Sequence, residues 1–124
     1  MNKWILLGGG SLAGGFSRYL MSGVISDKWG ARFPHGTLAV NLSGCFLIGL
    51  LNALAEEKFL LGPEARLFLM TGFCGAFTTF STLILETSNL MKDGEMGRAL
   101  LNVTVSVVAG FLLFRLGTLF GEIV

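Results

Sequence analysis

Four long apolar stretches, separated by short segments that hold most of the charges, constrain the fold of this chain more than any other feature. They cover approximately residues 4–25, 35–55, 65–91 and 99–121. As a helix rising 1.5 Å per residue, each is long enough to cross a hydrocarbon core of roughly 30 Å. Only helices and closed barrels satisfy all their backbone groups within lipid. The pattern predicts an all-α membrane protein with one four-helix transmembrane domain over residues 1–124.

The charge content excludes several classes of protein. Charged residues are 14% of the 124 residues, whereas a soluble domain carries about 25% to cover its outside. A water-soluble enzyme is therefore not expected. The net charge of +1 provides no basic field for nucleic acid. Cys45 and Cys74 lie in apolar stretches without a His or second Cys at metal-ligand spacing, so we expect them to be buried packing residues.

The Lys and Arg residues are almost evenly divided between the two sides of the membrane. With four spans, both termini lie on one side of the membrane, and that side holds Lys3, Lys58, Arg66 and Arg115. The opposite side holds Lys28, Arg32, Lys92 and Arg98. Because the Lys and Arg bias sets orientation, this balance predicts insertion both ways up and an antiparallel, dual-topology homodimer. The alternative is that Arg18, inside the first span, adds enough positive charge to one side to favour a single orientation. Four short helices alone would also struggle to enclose a polar path.

The third stretch differs from the others in its content of small and polar residues. Its segment Thr71–Thr82 contains two glycines, five hydroxyl residues and three phenylalanines. Glycine and β-branched residues weaken a helix, and hydroxyl groups can bind the backbone groups that a break releases. We therefore expect a helix broken near the midplane, where freed carbonyls bind cations and freed N–H groups bind anions. A continuous helix with small packing residues is the alternative, and Gly10-x-x-x-Gly14 is a packing motif of that type.

Three strongly polar residues inside the spans need a partner or a water-filled cavity: Arg18, Asn41 and Glu86. An Arg or Asp near the centre of a span costs about 2.5 to 3.5 kcal/mol on insertion scales. Arg18 lies past the middle of its span and either snorkels or has a polar partner. Glu86 lies near the end of the third span, where it either pairs with a Lys or Arg or lines a vestibule.

Several motifs resemble those of the Fluc/CrcB fluoride channel family. They are Gly-x-x-Ser-Arg ending at Arg18, Gly-Thr-Leu-x-Val-Asn at Gly36 to Asn41, Thr-Gly-Phe at Thr71 to Phe73, and Gly75-x-x-Thr78-Thr79-Phe80-Ser81-Thr82 followed by Glu86-Thr87. The resemblance covers the four-span layout, its order and its length. It implies a fluoride-selective channel of the cell inner membrane that confers fluoride resistance by passive export, as an antiparallel homodimer in the lipid bilayer.

The resemblance also implies a cofactor and two ion paths. One structural, non-transported sodium ion is held on the dimer axis by the backbone carbonyls of Gly75 and Thr78 from both subunits, a suitable ligand set for a hard cation. Two fluoride paths run along the subunit interface. Phe80 presents its ring edge, the positive end of the aromatic quadrupole, to the anion. Asn41 supplies amide donors near the path, and Ser81 and Thr82 supply hydroxyl donors along it.

The remaining path residues that the resemblance implies are Thr79, Leu83, Glu86, Arg18 and Ser106. Ser106, near the centre of the fourth span, is preferred there over Thr104 and Asn102. The family often has a second phenylalanine three residues after the first, and in this chain that position is Leu83. Leu83 has no aromatic edge, so Phe77 is a candidate substitute.

Two other classes of protein compete with this interpretation. Small multidrug exporters also have four spans and dual topology, but they use a carboxylate in the first span, where this chain has Arg18 and no Asp or Glu. Glu86 is the one residue that could serve such an exporter as its proton-coupling carboxylate. A structural subunit without a transport path would leave the run of hydroxyl residues and Asn41 as an unexplained cost in the membrane.

Overall fold

The computed structural model describes residues 2–124, and all regular secondary structure in them is helical. Helix α1 spans Lys3–Trp29 and α2 spans His35–Glu56. The third span consists of α3 (Pro63–Arg66), a π-helical stretch (Leu67–Cys74), α4 (Gly75–Phe77) and α5 (Phe80–Lys92). Helix α6 spans Met96–Ile123. The chain therefore forms four long helical segments, of which the third is interrupted.

The interruption lies where the sequence predicts a broken helix. Thr78 has φ −92° and ψ 157°, and Thr79 has φ −151° and ψ 117°. Both residues are extended, so one helix ends at Phe77 and the next begins at Phe80. Two consecutive β-branched residues favour this conformation because their side chains lose rotamer freedom in a helix. The continuous-helix alternative is therefore wrong.

The helices extend beyond the apolar stretches that predict them. The first helix continues to Trp29, where Gly30 (φ 88°) ends it and donates its N–H to the Ser26 carbonyl oxygen at 2.8 Å. The last helix begins at Met96 rather than near residue 99. Charged residues mark the edge of a hydrocarbon layer, whereas a helix ends where its backbone is capped, and the two positions differ by a turn or less at most of the ends. The π-helical stretch has no signal in the apolar pattern.

Small residues bring the helices into backbone contact. A Cβ on Gly49 would overlap the Phe114 carbonyl oxygen, and a Cβ on Gly117 would overlap the Phe46 carbonyl oxygen, so α2 and α6 touch along their backbones. Helix α1 packs in the same way on the π-helical stretch, and α5 packs on α6. Several of the most deeply buried residues are accordingly small, as at Ala53 and Ala55.

Three of the four spans are long and apolar enough to cross a membrane: His35–Glu56, Pro63–Lys92 and Met96–Ile123. Helix α1 has 27 residues, but its glycines and serines lower its hydropathy, and it is not among these three. Its outward side chains are nevertheless large and apolar, as at Leu12, Phe16 and Leu20. These features describe a multi-pass membrane protein, in which α1 as a fourth span stays a prediction.

Candidate ion-binding groove at the helix break

Asn41 of α2 binds both backbone groups of Thr79 at the break in the third span. The Thr79 N–H donates to Asn41 Oδ1 at 2.8 Å, and Asn41 Nδ2 donates to the Thr79 carbonyl oxygen at 3.0 Å. In a continuous helix that N–H would donate to the Gly75 carbonyl oxygen. The Asn41 amide therefore replaces the lost helical bond of the Thr79 N–H, adds a donor to the Thr79 carbonyl, and keeps one N–H for another acceptor.

Arg18 of α1 stabilises the break from the other side. Its Nε donates to the Ala76 carbonyl oxygen at 3.1 Å, one of the acceptors at the C-terminal end of α4. This contact supplies the polar partner that a charged residue within a span requires. Arg18 also borders a separate surface pocket formed largely by α1. The structure does not bring Arg18 to the groove described below, so its predicted place in the fluoride path is not supported.

The threonines at the break cap the helix ends that they create. Thr78 Oγ1 donates to the Cys74 carbonyl oxygen at 2.9 Å. Thr79 is the N-cap of α5, because its Oγ1 accepts a hydrogen bond from the Thr82 N–H at 3.3 Å. Its Oγ1 also donates to Thr82 Oγ1 at 3.1 Å. The Gly75 carbonyl oxygen, by contrast, has lost its helical partner to Asn41.

An open groove of about 450 Å³ runs past the break. Five of the predicted path residues line it together with both predicted sodium-binding residues: Asn41, Thr79, Phe80, Leu83 and Ser106, with Gly75 and Thr78. The residues come from α2, the third span and α6, so residues far apart in the sequence meet here. The groove combines freed backbone groups, an amide, hydroxyl groups and an aromatic ring within a mostly apolar surface.

Phe80 and Phe77, on either side of the break, have opposite environments. Phe80 lines the groove with 69% of its surface exposed. Phe77 is buried at 7% exposure and stacks on Phe73 with ring centroids 5.5 Å apart. Phe77 therefore lies outside the groove of a single copy, and its role as a second aromatic in the path stays a prediction. Leu83, one turn after Phe80, occupies the groove instead.

Other predicted residues lie outside the groove. Ser81 is exposed beside it, with its Oγ 3.5 Å from Thr79 Oγ1. Thr82 contacts the groove only through its hydrogen bonds with Thr79. Thr104 is exposed on α6 and does not line the groove.

Glu86 lies in a second, more polar pocket of about 330 Å³ that also contains Arg32, Asn89, Asp93 and Arg98. Its Oε1 is buried and accepts no hydrogen bond from residues 2–124. Arg98 instead pairs with Glu95 at 3.6 Å. The prediction that Glu86 lines a vestibule agrees with this placement better than the prediction that it forms an ion pair. The second pocket lies at the loop end of the molecule, away from the break.

Comparison with known proteins identifies the family of the chain. The profile of the family described as "CrcB-like protein, Camphor Resistance (CrcB)" matches residues 4–118. The chain belongs to the CrcB family.

Curated relatives match over nearly the whole CrcB chain. A protein of Maridesulfovibrio salexigens is 41% identical over 100% of this chain and 98% of its own length. A protein of Chlorobaculum tepidum is 47% identical over 99% of this chain and 97% of its own length. A protein of Methylocella silvestris is also 47% identical, over 92% of this chain and 87% of its own length. All three are named "Fluoride-specific ion channel FluC".

The structure of this CrcB chain also contains a polar pair that the sequence does not indicate. Asn102 is 1% exposed, and its Nδ2 donates to Thr87 Oγ1 at 3.0 Å. Thr87 Oγ1 donates in turn to the Leu83 carbonyl oxygen at 2.7 Å. The buried atoms Asn102 Oδ1 and Ser106 Oγ have no partner within the described residues. An Asn and a Thr on facing helices are a weak signal in sequence, because their meeting depends on how α5 and α6 pack.

The two cysteines of this CrcB chain are free and line the groove. Cys74 is buried, as expected for a packing residue, whereas Cys45 is half-buried. Within residues 2–124, no group of three or more His, Cys, Asp or Glu side chains could hold a metal ion.

Proposed function

We propose that the chain is a fluoride-selective channel that lowers cytoplasmic fluoride by passive export across the cell inner membrane. The observation that carries this proposal is the groove, which joins the exposed ring of Phe80 to the Asn41 amide and the helix break. The relatives named as fluoride-specific channels support the choice of ion. Together these features explain why strongly polar residues are retained inside the spans.

The groove acts on an anion through donors and ring edges rather than through a charged side chain. Asn41 keeps one amide N–H after it has bound Thr79, and Ser106 has a buried Oγ without a partner among residues 2–124. The edge of the Phe80 ring carries the positive end of its quadrupole. A small anion with a dense charge gains most from several close donors, which favours fluoride over chloride. Because no Lys or Arg of the described chain lines the groove, the ion can also leave it.

The second element of the proposal is an antiparallel homodimer with two fluoride paths at its interface. In one copy the groove is open and Phe80 is largely exposed, so a single chain does not enclose a path. The even division of Lys and Arg between the two sides removes the usual bias toward one orientation. A second copy inserted the other way up covers the groove and provides the matching half of each path.

The third element is a structural sodium ion on the dimer axis, held by the carbonyl oxygens of Gly75 and Thr78 from both copies. The residues fit such an ion, because the Gly75 carbonyl has lost its helical partner and Gly75 is exposed beside the groove. Four neutral carbonyl oxygens suit a hard monovalent cation. When bound, the ion supplies positive charge that holds two broken helices together. Asn41 and Arg18 keep the neighbouring backbone groups in place without it.

A proton-coupled multidrug-type exporter that uses Glu86 is not favoured. Glu86 lies in the polar pocket at the loop end, whereas no carboxylate among residues 2–124 lines the groove. The named relatives are channels rather than exporters.

Fluoride efflux from proteoliposomes tests the proposal. Vesicles loaded with potassium fluoride release fluoride when valinomycin provides a path for potassium, and a fluoride electrode records the release. We expect rapid release without a pH gradient, and no release from protein-free vesicles. Release that requires a proton gradient would support a Glu86-coupled exporter and contradict the channel.

A further inference from the structure

Three residues of α1, each one helical turn after the last, lie against the backbone of the third span: Gly10, Gly14 and Arg18. A Cβ on Gly10 would overlap the Phe68 carbonyl oxygen, and a Cβ on Gly14 would overlap the Phe73 carbonyl oxygen. Arg18 donates to the Ala76 carbonyl oxygen at 3.1 Å. We call these three residues the α1 rail. The three residues contact successive positions along the third span, and the last of these, Ala76, lies just before the break.

The spacing of these contacts fits a π-helix and not an α-helix. Gly10 and Gly14 are four residues apart, but Phe68 and Phe73, which they contact, are five apart. In an α-helix, two residues that are five apart point in directions that differ by about 140° around the helix axis. In a π-helix, the hydrogen bonds from residue i to i+5 stack residues that are five apart. The two carbonyls can both face α1 because Leu67–Cys74 is π-helical.

The π-helical stretch leads directly into the residues of the proposed sodium site. It ends at Cys74, and Gly75 follows at once, with Thr78 three residues later. A change of this stretch to α-helical hydrogen bonding would rotate Gly75 and Thr78 relative to the rest of the molecule. We propose that the α1 rail holds the π-helical register and thereby sets the direction of the Gly75 and Thr78 carbonyls. The part of this inference that concerns sodium rests on the function proposed above.

Glycines elsewhere on α1 provide matched controls for the rail. A Cβ on Gly15 would have no heavy atom within 4 Å, and the same holds for Gly8. Gly14→Ala and Gly15→Ala therefore make the same chemical change on adjacent residues of one helix. Both remove a glycine from a helix interior, which by itself favours the helix. Only Gly14→Ala forces α1 away from the π-helical stretch.

Hydrogen exchange at the Thr79 amide is the first readout, because its bond to Asn41 Oδ1 exists only in the observed geometry of the break. In the full-length dimer in lipid nanodiscs, we expect Gly14→Ala to speed this exchange at least about tenfold, the scale of an overpacked contact. We expect Gly15→Ala to leave it within about twofold of the original chain. Equal exchange in the two variants would overturn the inference.

The sodium concentration that gives half-maximal fluoride flux is the second readout. If the rail sets the carbonyl directions, we expect Gly14→Ala to raise the half-maximal sodium concentration at least about fivefold and Gly15→Ala to leave it unchanged. A lower yield of active protein would reduce the flux but leave the half-maximal sodium concentration unchanged. If the original chain shows no sodium dependence, the sodium proposal fails, whereas the exchange experiment still decides whether the rail positions the break.

Arg18 provides a second test in case Gly14→Ala does not fold. Arg18→Lys keeps a donor for the Ala76 carbonyl oxygen, whereas Arg18→Met keeps the length and removes the donor. We expect exchange at Thr79 to be faster in Arg18→Met and largely restored in Arg18→Lys. Equally slow exchange in both variants would show that the hydrogen bond from the rail does not hold the break, and would contradict the proposal.

Discussion

Asn41 shows how one side chain at the break serves both structure and transport. Its amide binds the N–H and the carbonyl of Thr79, and its second N–H is directed to no acceptor among residues 2–124. The sequence indicates that a polar residue in this span needs a partner, but it does not identify Thr79. That contact depends on the break, which releases the Thr79 backbone groups, and on the packing of α2 beside the third span.

Replacement of Asn41 by aspartate tests this residue. The new carboxylate would still accept from the Thr79 N–H, but it would repel the Thr79 carbonyl oxygen and any anion in the groove. We expect Asn41→Asp to reduce fluoride flux at least about a hundredfold, as for a lost buried donor and an added repulsion. Asn52→Asp, near the end of the same helix, is the control and should conduct. Normal flux in Asn41→Asp would remove the residue from the path.

Phe80 provides a second test at the residue scale. Phe80→Ile keeps an apolar side chain at the groove but removes the ring edge. We expect fluoride flux from proteoliposomes to stop while the dimer stays intact by size-exclusion chromatography. Phe16→Ile changes an equally exposed phenylalanine on the outer face of α1 and should leave the flux unchanged. Equal flux in the two variants would contradict the role of Phe80.

At the scale of the helices, apolar length and residue type predict most of the fold. The four helical stretches and the break at Thr78–Thr79 follow from the positions of apolar, Gly and Thr residues in the sequence. The π-helical stretch does not, because neither apolar length nor residue type indicates the close contact of its Phe68 and Phe73 carbonyls with α1. For the same reason the sequence could not decide between Leu83 and Phe77 for the position of a second aromatic: the rotation of each helix segment decides which side chain reaches the groove.

Arg66 joins the end of α2 to the start of the third span. It donates to the carbonyl oxygens of Leu61 at 3.1 Å and Ala55 at 2.8 Å, and it pairs with Glu56 at 2.6 Å. We expect Arg66→Met to lower the free energy of unfolding by about 1–3 kcal/mol, because it leaves carbonyls at a helix end without donors.

The measurement for Arg66→Met is thermal unfolding in detergent. Arg115→Met, which changes an exposed arginine within α6, serves as the control and should unfold at the original temperature. An unchanged transition in Arg66→Met would mean that the loop is held by other contacts.

At the scale of the whole molecule, the open groove and the balanced charges both call for a second copy. One chain exposes Phe80 and Gly75 beside the groove, and the proposed dimer places the corresponding groups of both copies around one sodium ion. The sequence predicts the dimer from its balanced charges, from the small size of four helices and from the family resemblance, whereas the shape of the interface depends on a partner chain.

Removal of sodium tests the dimer and its ion together. We expect fluoride flux to fall at least about tenfold when N-methyl-D-glucamine replaces sodium throughout purification and reconstitution, because carbonyl ligands select a small hard cation. Sodium added back should restore the flux, whereas an equal concentration of N-methyl-D-glucamine should not. Full flux after exhaustive removal of sodium would rule out a structural role for the ion.

The reversal potential in a planar bilayer tests whether the protein conducts fluoride selectively and passively. A bilayer containing the protein separates solutions with a fluoride gradient and an opposing chloride gradient at equal pH. We expect a current that reverses close to the equilibrium potential of fluoride. A reversal potential close to that of chloride, or a current that appears only with a pH gradient, would contradict it.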